Sequence, residues 1–151
     1  MSKNFHSSDF KDHLLADGFT GDLVIPTDPE YAASLTRFAK NAQKNAGLVA
    51  FVKSSQDVSK VIKLVNSHSF NSPGSINVVV RGGGHSTSGS SSTEGGIVID
   101  LSRHMSTVRI DQEAKLGYVA GGATWSVVDR EAIKYQLALV GGTVSHTGVG
   151  G

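Results

Sequence analysis

Val78-Val79-Val80-Arg81-Gly82-Gly83-Gly84-His85-Ser86-Thr87-Ser88-Gly89 is the stretch on which the reading of this chain turns. The short β-branched run reads as the end of a buried strand, and it passes straight into three glycines. Residues without a Cβ let successive backbone N–H groups converge on one anion. Ser86, Thr87 and Ser88, with Ser90-Ser91-Ser92-Thr93 just beyond, add hydroxyl donors. A hydrogen bond to a charged oxygen contributes about 1.5–3 kcal/mol, so such a loop suits a diphosphate without many cations. The plainer reading is a flexible Gly/Ser-rich linker. Against it stand the flanking buried-strand patterns and the placement of Arg81 and His85 at defined points.

Two familiar nucleotide loops fail here. The G-x-G-x-x-G pattern needs glycine where Thr87 stands, and no helix clearly opens there. Gly84 and Gly89 have P-loop spacing, but Ser90 occupies the position of its lysine. That removes the charge needed on the terminal phosphates.

Upstream, Leu48-Val49-Ala50-Phe51-Val52 reads as a buried strand. Ser54-Ser55-Gln56-Asp57 is a capping-box pattern, and Val58, Val61, Ile62 and Val65 mark the helix it opens. Pro73-Gly74 then turns the chain into Ile76-Asn77-Val78-Val79-Val80. Strand, helix and strand make a βαβ unit with parallel strands. Earlier still, Asp28, Pro29 and Glu30 form a helix start. Tyr31, Leu35, Phe38 and Ala42 follow at spacings of 4, 3 and 4, predicting a helix that Gly47 ends. Residues 1–22 read as a polar lead-in with one short helix.

Downstream, Ile97-Val98-Ile99 is strand-like. Val108 and Ile110, then Leu116, Tyr118 and Ala120, alternate with polar residues around Gln112-Glu113-Ala114 and predict a hairpin. Thr124 is placed to cap a helix carrying Trp125, Val128, Ala132 and Tyr135 on one face, and Leu137-Ala138-Leu139-Val140 reads as a further strand. The fold class is α+β: a small βαβ parallel sheet followed by a mixed or antiparallel sheet with helices. The chain divides into a lead-in and helix (1–44) and a main domain (45–151).

Composition sets outer bounds. The 151 residues are 38% hydrophobic and 18% charged, a globular balance. The net charge of +1 gives no basic field for nucleic acid or an anionic membrane. The absence of cysteine removes disulfides, thiolate metal sites and a thiol nucleophile. His6, His13, His68 and His104 have no metal-ligand spacing. The N-terminus lacks the apolar core of a signal peptide, so a cytoplasmic location is expected.

At residues 81–86 the resemblance becomes specific. Arg81-Gly82-Gly83-Gly84-His85-Ser86 resembles the R-x-G-G-H loop of FAD-linked oxidases of the vanillyl-alcohol oxidase and berberine bridge type, which carry a PCMH-type FAD-binding domain. Three more segments follow in the family's order. They are Gly96-Ile97-Val98-Ile99-Asp100-Leu101-Ser102, Ala120-Gly121-Gly122-Ala123-Thr124-Trp125, and Gly141-Gly142-Thr143-Val144-Ser145-His146-Thr147-Gly148-Val149-Gly150-Gly151. The resemblance covers about residues 45–151.

It implies FAD as cofactor and a small-molecule substrate oxidised by hydride transfer, at CH–OH or CH–NH type donors. It implies cofactor contacts from Arg81, Gly82, Gly83, Gly84, His85, Ser86 and Gly89, and from Gly122, Thr143, Val144, His146, Thr147, Gly148, Val149 and Gly150. His85 matches the histidine bonded to the flavin 8α-methyl group. Val144 stands where doubly anchored members have cysteine, so one covalent link is the maximum. Thr147 falls at the usually aliphatic position that gates oxygen, which leaves oxidase and dehydrogenase behaviour both open. His146 is a candidate base or simply a hydrogen-bonding neighbour. Arg81 either pairs with phosphate or stabilises the loop, and Asp100 is expected to close a turn. The chain stops inside the second flavin loop, so it is expected to be the first part of a longer protein with its substrate domain beyond. Two other classes stay open: a catalytically inactive flavin-binding or protein-binding module, and a Gly-rich phosphate-binding module unrelated to flavin.

Overall fold

A computed structural model of the chain describes residues 6–67 and 76–150. Its elements are α1 (Ser7–Ala16), β1 (Asp22–Val24), α2 (Tyr31–Ser34), β2 (Leu48–Phe51), α3 (Ser55–Val65), β3 (Val78–Arg81), β4 (Ile97–Asp100), β5 (Val108–Asp111), β6 (Leu116–Val119) and α4 (Trp125–Ala132). Four strands form one sheet in the order β1-β2-β4-β3, and β5 and β6 pair in a second. The class is α+β, as read. The βαβ strands β2 and β3 do run parallel, but they are not neighbours. β4 lies between them and is parallel to both, with Leu48 and Val78 each opposite Ile97. The predicted Pro73-Gly74 turn lies outside the described residues.

The apolar runs supply both faces of this sheet. Leu48, Ala50, Ile97 and Ile99 pack with Val61 of α3 and with Phe10 and Leu14 of α1. Val49, Phe51 and Val98 point the other way, against Val24, Leu35 and Ala46. This is the two-residue period of a strand covered on both sides. Burying side chains such as Phe10 and Leu14 contributes roughly 1.5–3 kcal/mol each. The lead-in region therefore shares the core of the main domain.

The capping box forms by half. Ser54 Oγ accepts from the Asp57 amide at 3.2 Å. Asp57 does not return to the Ser54 amide. It is 1% exposed, and its carboxylate takes the Thr20 amide at 2.9 Å, the Thr20 hydroxyl at 2.9 Å and the Lys53 amide at 3.0 Å. Burial pushes its pKa up, but these hydrogen bonds outweigh burial, and the net displacement is below the usual 3.8. A carboxyl with a depressed folded-state pKa stabilises the fold above its unfolded value, and that contribution fades as pH falls through the folded value. The urea midpoint is therefore expected to drop on acidification below about pH 4. Asp57→Asn should be less stable at pH 7 and show a shallower drop. Midpoints measured across pH 2.5–7 (about the carboxylate range and above) check this, and an unaltered slope would remove Asp57 as a source.

Two predicted elements are absent. The helix expected across residues 28–47 is one turn, Tyr31–Ser34, with a separate 3-10 turn at Lys40–Ala42. Tertiary contacts override the periodicity. Arg37 turns inward, and the Phe38 amide donates to Gly84 O at 3.2 Å. The strand expected at residues 137–140 does not form either. Gln136 adopts φ +57° after the 3-10 turn Ile133–Tyr135. Leu139 then lies over Gly117 of β6 instead of pairing beside it. Leu116, Tyr118, Ile133 and Val140 are each exposed. No helix among the described residues is long and apolar enough to cross a membrane.

Candidate flavin site

β3 ends at Arg81, and residues 82–86 leave the sheet as a bare loop. Among the described residues, the amide N–H groups of Gly82, Gly83, Gly84, His85 and Ser86 donate no hydrogen bond within the protein. Most of these residues are half-exposed, so the loop keeps a run of consecutive donors available to an incoming acceptor. The buried Oγ atoms of Ser91 and Ser92 and Nε of Arg81 are also without partners. These groups fit a diphosphate-bearing ligand by donor chemistry.

The glycines have a second task. A Cβ on Gly83 would strike the Gly148 amide nitrogen, and one on Gly148 would lie 2.5 Å from the Gly83 nitrogen. Gly82 and Gly150 both close on Gly121 O, with Cβ positions 2.8 and 2.7 Å away. The 82–84 loop, the 121–122 turn and the 148–150 loop therefore meet backbone on backbone. Gly122 is turned elsewhere, buried against the carbonyls of Leu101 and Met105, and Gly89 faces Lys44.

The second loop is held by α4. Thr124 is the N-cap residue but makes no side-chain cap bond. Instead the free amides of the first turn, Trp125 and Ser126, donate to Thr147 O at 3.0 Å and Ser145 O at 2.7 Å. The Val149 amide donates to Ala123 O, and Thr124 bridges Gly148. Trp125 covers Gly141 and Gly142. These bonds fix residues 145–149 and with them His146. Val144 is 46% exposed and Thr143 is exposed, both outside the seam.

His85 and His146 come together across the two loops. His85 Nε2 lies 2.7 Å from His146 Nδ1. Phe38 stacks on His85 with centroids 3.8 Å apart and an interplanar angle of 16°. Phe38 was expected on a helix face; it is 61% exposed and serves as a platform.

Arg81 folds back beneath its own loop, with Nε 2.8 Å from where a Cβ on Gly84 would sit. Its Nη1 lies 2.7 Å from Asp100 Oδ2, and Asp100 is fully buried. Asp100 also closes its turn, accepting from the Ser102 amide at 2.8 Å and hydroxyl at 2.6 Å. The contact with Asp100 fits the loop-stabilising role weighed for Arg81.

Sequence reasoning missed Arg37. It is 6% exposed and donates through Nε and Nη2 to Ser91 O and through Nη1 to Ser34 O and Thr36 O. Burial, with Arg81 adding repulsion and Asp100 opposing it, pushes its pKa down to about 10. It ties the serine-rich loop to the segment beneath. Nothing in its local sequence separates it from a surface arginine.

A family model described as FAD binding domain matches residues 46–151. The chain belongs to the family of FAD-linked oxidases of the vanillyl-alcohol oxidase and berberine bridge type. Its cofactor is FAD. Among relatives of this family, the chain is 36% identical over 140 residues to FAD-linked oxidoreductase pgmH of Aspergillus terreus, covering 91% of this chain and 27% of that protein. The solved structure of 6-hydroxy-D-nicotine oxidase from Arthrobacter nicotinovorans superposes with a TM-score of 0.79 at 27% identity, over 87% of this chain and 28% of the other. Glucooligosaccharide oxidase from Acremonium strictum, a protein with a 6-S-cysteinyl, 8α-N1-histidyl FAD, shares the fold with a TM-score of 0.78 at 20% identity, over 94% of this chain and 28% of the other. The chain spans about a quarter of the length of its curated family relatives.

Proposed function

We propose that the chain is the diphosphate- and ring-anchoring part of an FAD-dependent oxidoreductase that oxidises a small organic substrate by hydride transfer, with the flavin linked covalently to His85. The row of unengaged amides at residues 82–86 carries this reading. In it, those N–H groups and the Ser86 hydroxyl take the diphosphate oxygens. His85 sits one residue beyond the glycines, held between Phe38 and His146. Bound FAD supplies the two-electron redox chemistry, and the protein supplies position and hydrogen bonds. Arg81 takes part indirectly, by tying the loop to Asp100. His146 is assigned to its imidazole partner and not to substrate.

The chain purified from flavin-replete cells is expected to be yellow, with colour that stays with the pellet after acid precipitation. His85→Ala should release that colour to the supernatant. A His85→Ala protein that retains acid-stable flavin would overturn the anchor. A folded chain that takes up no FAD at all would overturn the binding role.

A further inference from the structure

The contact between the two imidazoles specifies more than proximity. Their centroids are 4.7 Å apart with planes 28° from parallel, while Nε2 of His85 and Nδ1 of His146 are 2.7 Å apart. Rings so placed meet edge to edge through those two nitrogens. One proton lies between them, and a neutral imidazole carries one N–H and one lone pair. The single hydrogen bond therefore fixes the tautomers of both rings together.

Two arrangements are possible. If His85 Nε2–H donates, both rings are Nε2–H tautomers. If His146 Nδ1–H donates, both are Nδ1–H tautomers. Free histidine prefers the Nε2–H form, so the first arrangement places both rings in their favoured state. Nδ1 of His85 is then a bare lone pair, and no protein group among the described residues hydrogen-bonds to it. The Phe38 ring lies against one face of His85 and limits its rotation.

We infer that His146 is a positioning residue: it holds His85 as the Nε2–H tautomer and so makes Nδ1 the atom that meets an electrophile. This follows the role of a second group that orients an imidazole through its other nitrogen. The consequence for flavin rests on the covalent-anchor reading above. There, Nδ1 gives its electron pair to the 8α carbon, which gives up one proton, and Nε2 passes its proton to His146. The two electrons released reach dioxygen by way of the ring, and hydrogen peroxide leaves.

The decisive measurement needs no flavin. Nitrogen-15 NMR of the histidine-labelled, flavin-free chain at pH 8 reports which ring nitrogen bears hydrogen. His85 is expected almost wholly as Nε2–H. In His146→Ala the Nδ1–H share should rise several-fold toward that of free histidine. In His146→Gln, whose side-chain oxygen accepts the same bond, it should return to the low value. Flavin incorporation should follow the same order, slowed at least tenfold in the alanine variant and largely rescued by glutamine. A His85 protonated at Nδ1, or a tautomer ratio that ignores both substitutions, would refute the inference. If the tautomer behaves as stated and no covalent flavin forms in any variant, the anchor reading fails while this one stands. Should His146→Ala unfold, His146→Gln alone still decides, because loss of the Nε2–H preference in a folded glutamine variant sinks it.

Discussion

Gly83→Ala should strongly damage both the fold and the loop seam, and Gly148→Ala should do so to a similar degree. Each new Cβ meets the backbone of the opposite loop, Gly148 in one case and Gly83 in the other. A side chain in the way could rotate; a peptide unit held by neighbouring hydrogen bonds cannot. Overpacking of well-filled sites costs about 1–3 kcal/mol and more when nothing yields. We expect losses of at least about 3 kcal/mol in urea unfolding, together with loss of FAD retention. Gly95→Ala is the control. Nothing lies within 4 Å of its Cβ position, so only its φ of +66° resists. That cost is about 1–2 kcal/mol. Equal losses at Gly83 and Gly95 would mean that the seam does not hold the loops.

Asp100→Ala is expected to follow in size. The carboxylate is fully buried, bridges Arg81 at 2.7 Å and takes both donors of Ser102. Removing one member of a buried pair leaves the other charge uncompensated and costs about 3–5 kcal/mol. Here the stranded cation is Arg81, with Arg37 near enough to repel it. The double variant Arg81→Met, Asp100→Leu should recover a good part of the loss, because the pair is then replaced by apolar volume. Thermal and urea midpoints of the single and double variants decide it. If the double variant is no better than Asp100→Ala, the damage comes from the turn and not from the unpaired charge.

The buried strands were legible because their pattern is local. Leu48 to Val52 and Ile97 to Ile99 are apolar without interruption, and both form strands covered on two faces. The hairpin around Gln112-Glu113-Ala114 was legible from alternation, and its strands pair with Val108 opposite Val119. The insertion of β4 between β2 and β3 was not, since strand order depends on contacts far apart in sequence. The helix expected from Tyr31 to Ala42 failed for the same reason. Its spacing is helical, but Arg37 and Phe38 are each claimed by the loops at Ser91 and Gly84. The glycine-rich loop was visible, and its likeness to the FAD-linked oxidases agrees with the match across residues 46–151. The glycines' part in joining loops was hidden, because their composition says nothing about which backbone they approach. His85 was singled out for its motif and His146 for its neighbourhood. That the two would share a proton required coordinates.

The strand order bears on how the chain is made. One of the two inner strands of the four-stranded sheet, β4, is also the last of the four to leave a ribosome. Until residue 100 has emerged, β2 and β3 have no common partner, and their inward edges stand open. Such edges invite pairing with other chains, and closing distant segments is slow compared with forming local turns. The two glycine loops can join only later still, after Gly148 is synthesised. Assembly thus proceeds from a sheet that waits for its centre to a ligand cradle that waits for its far wall.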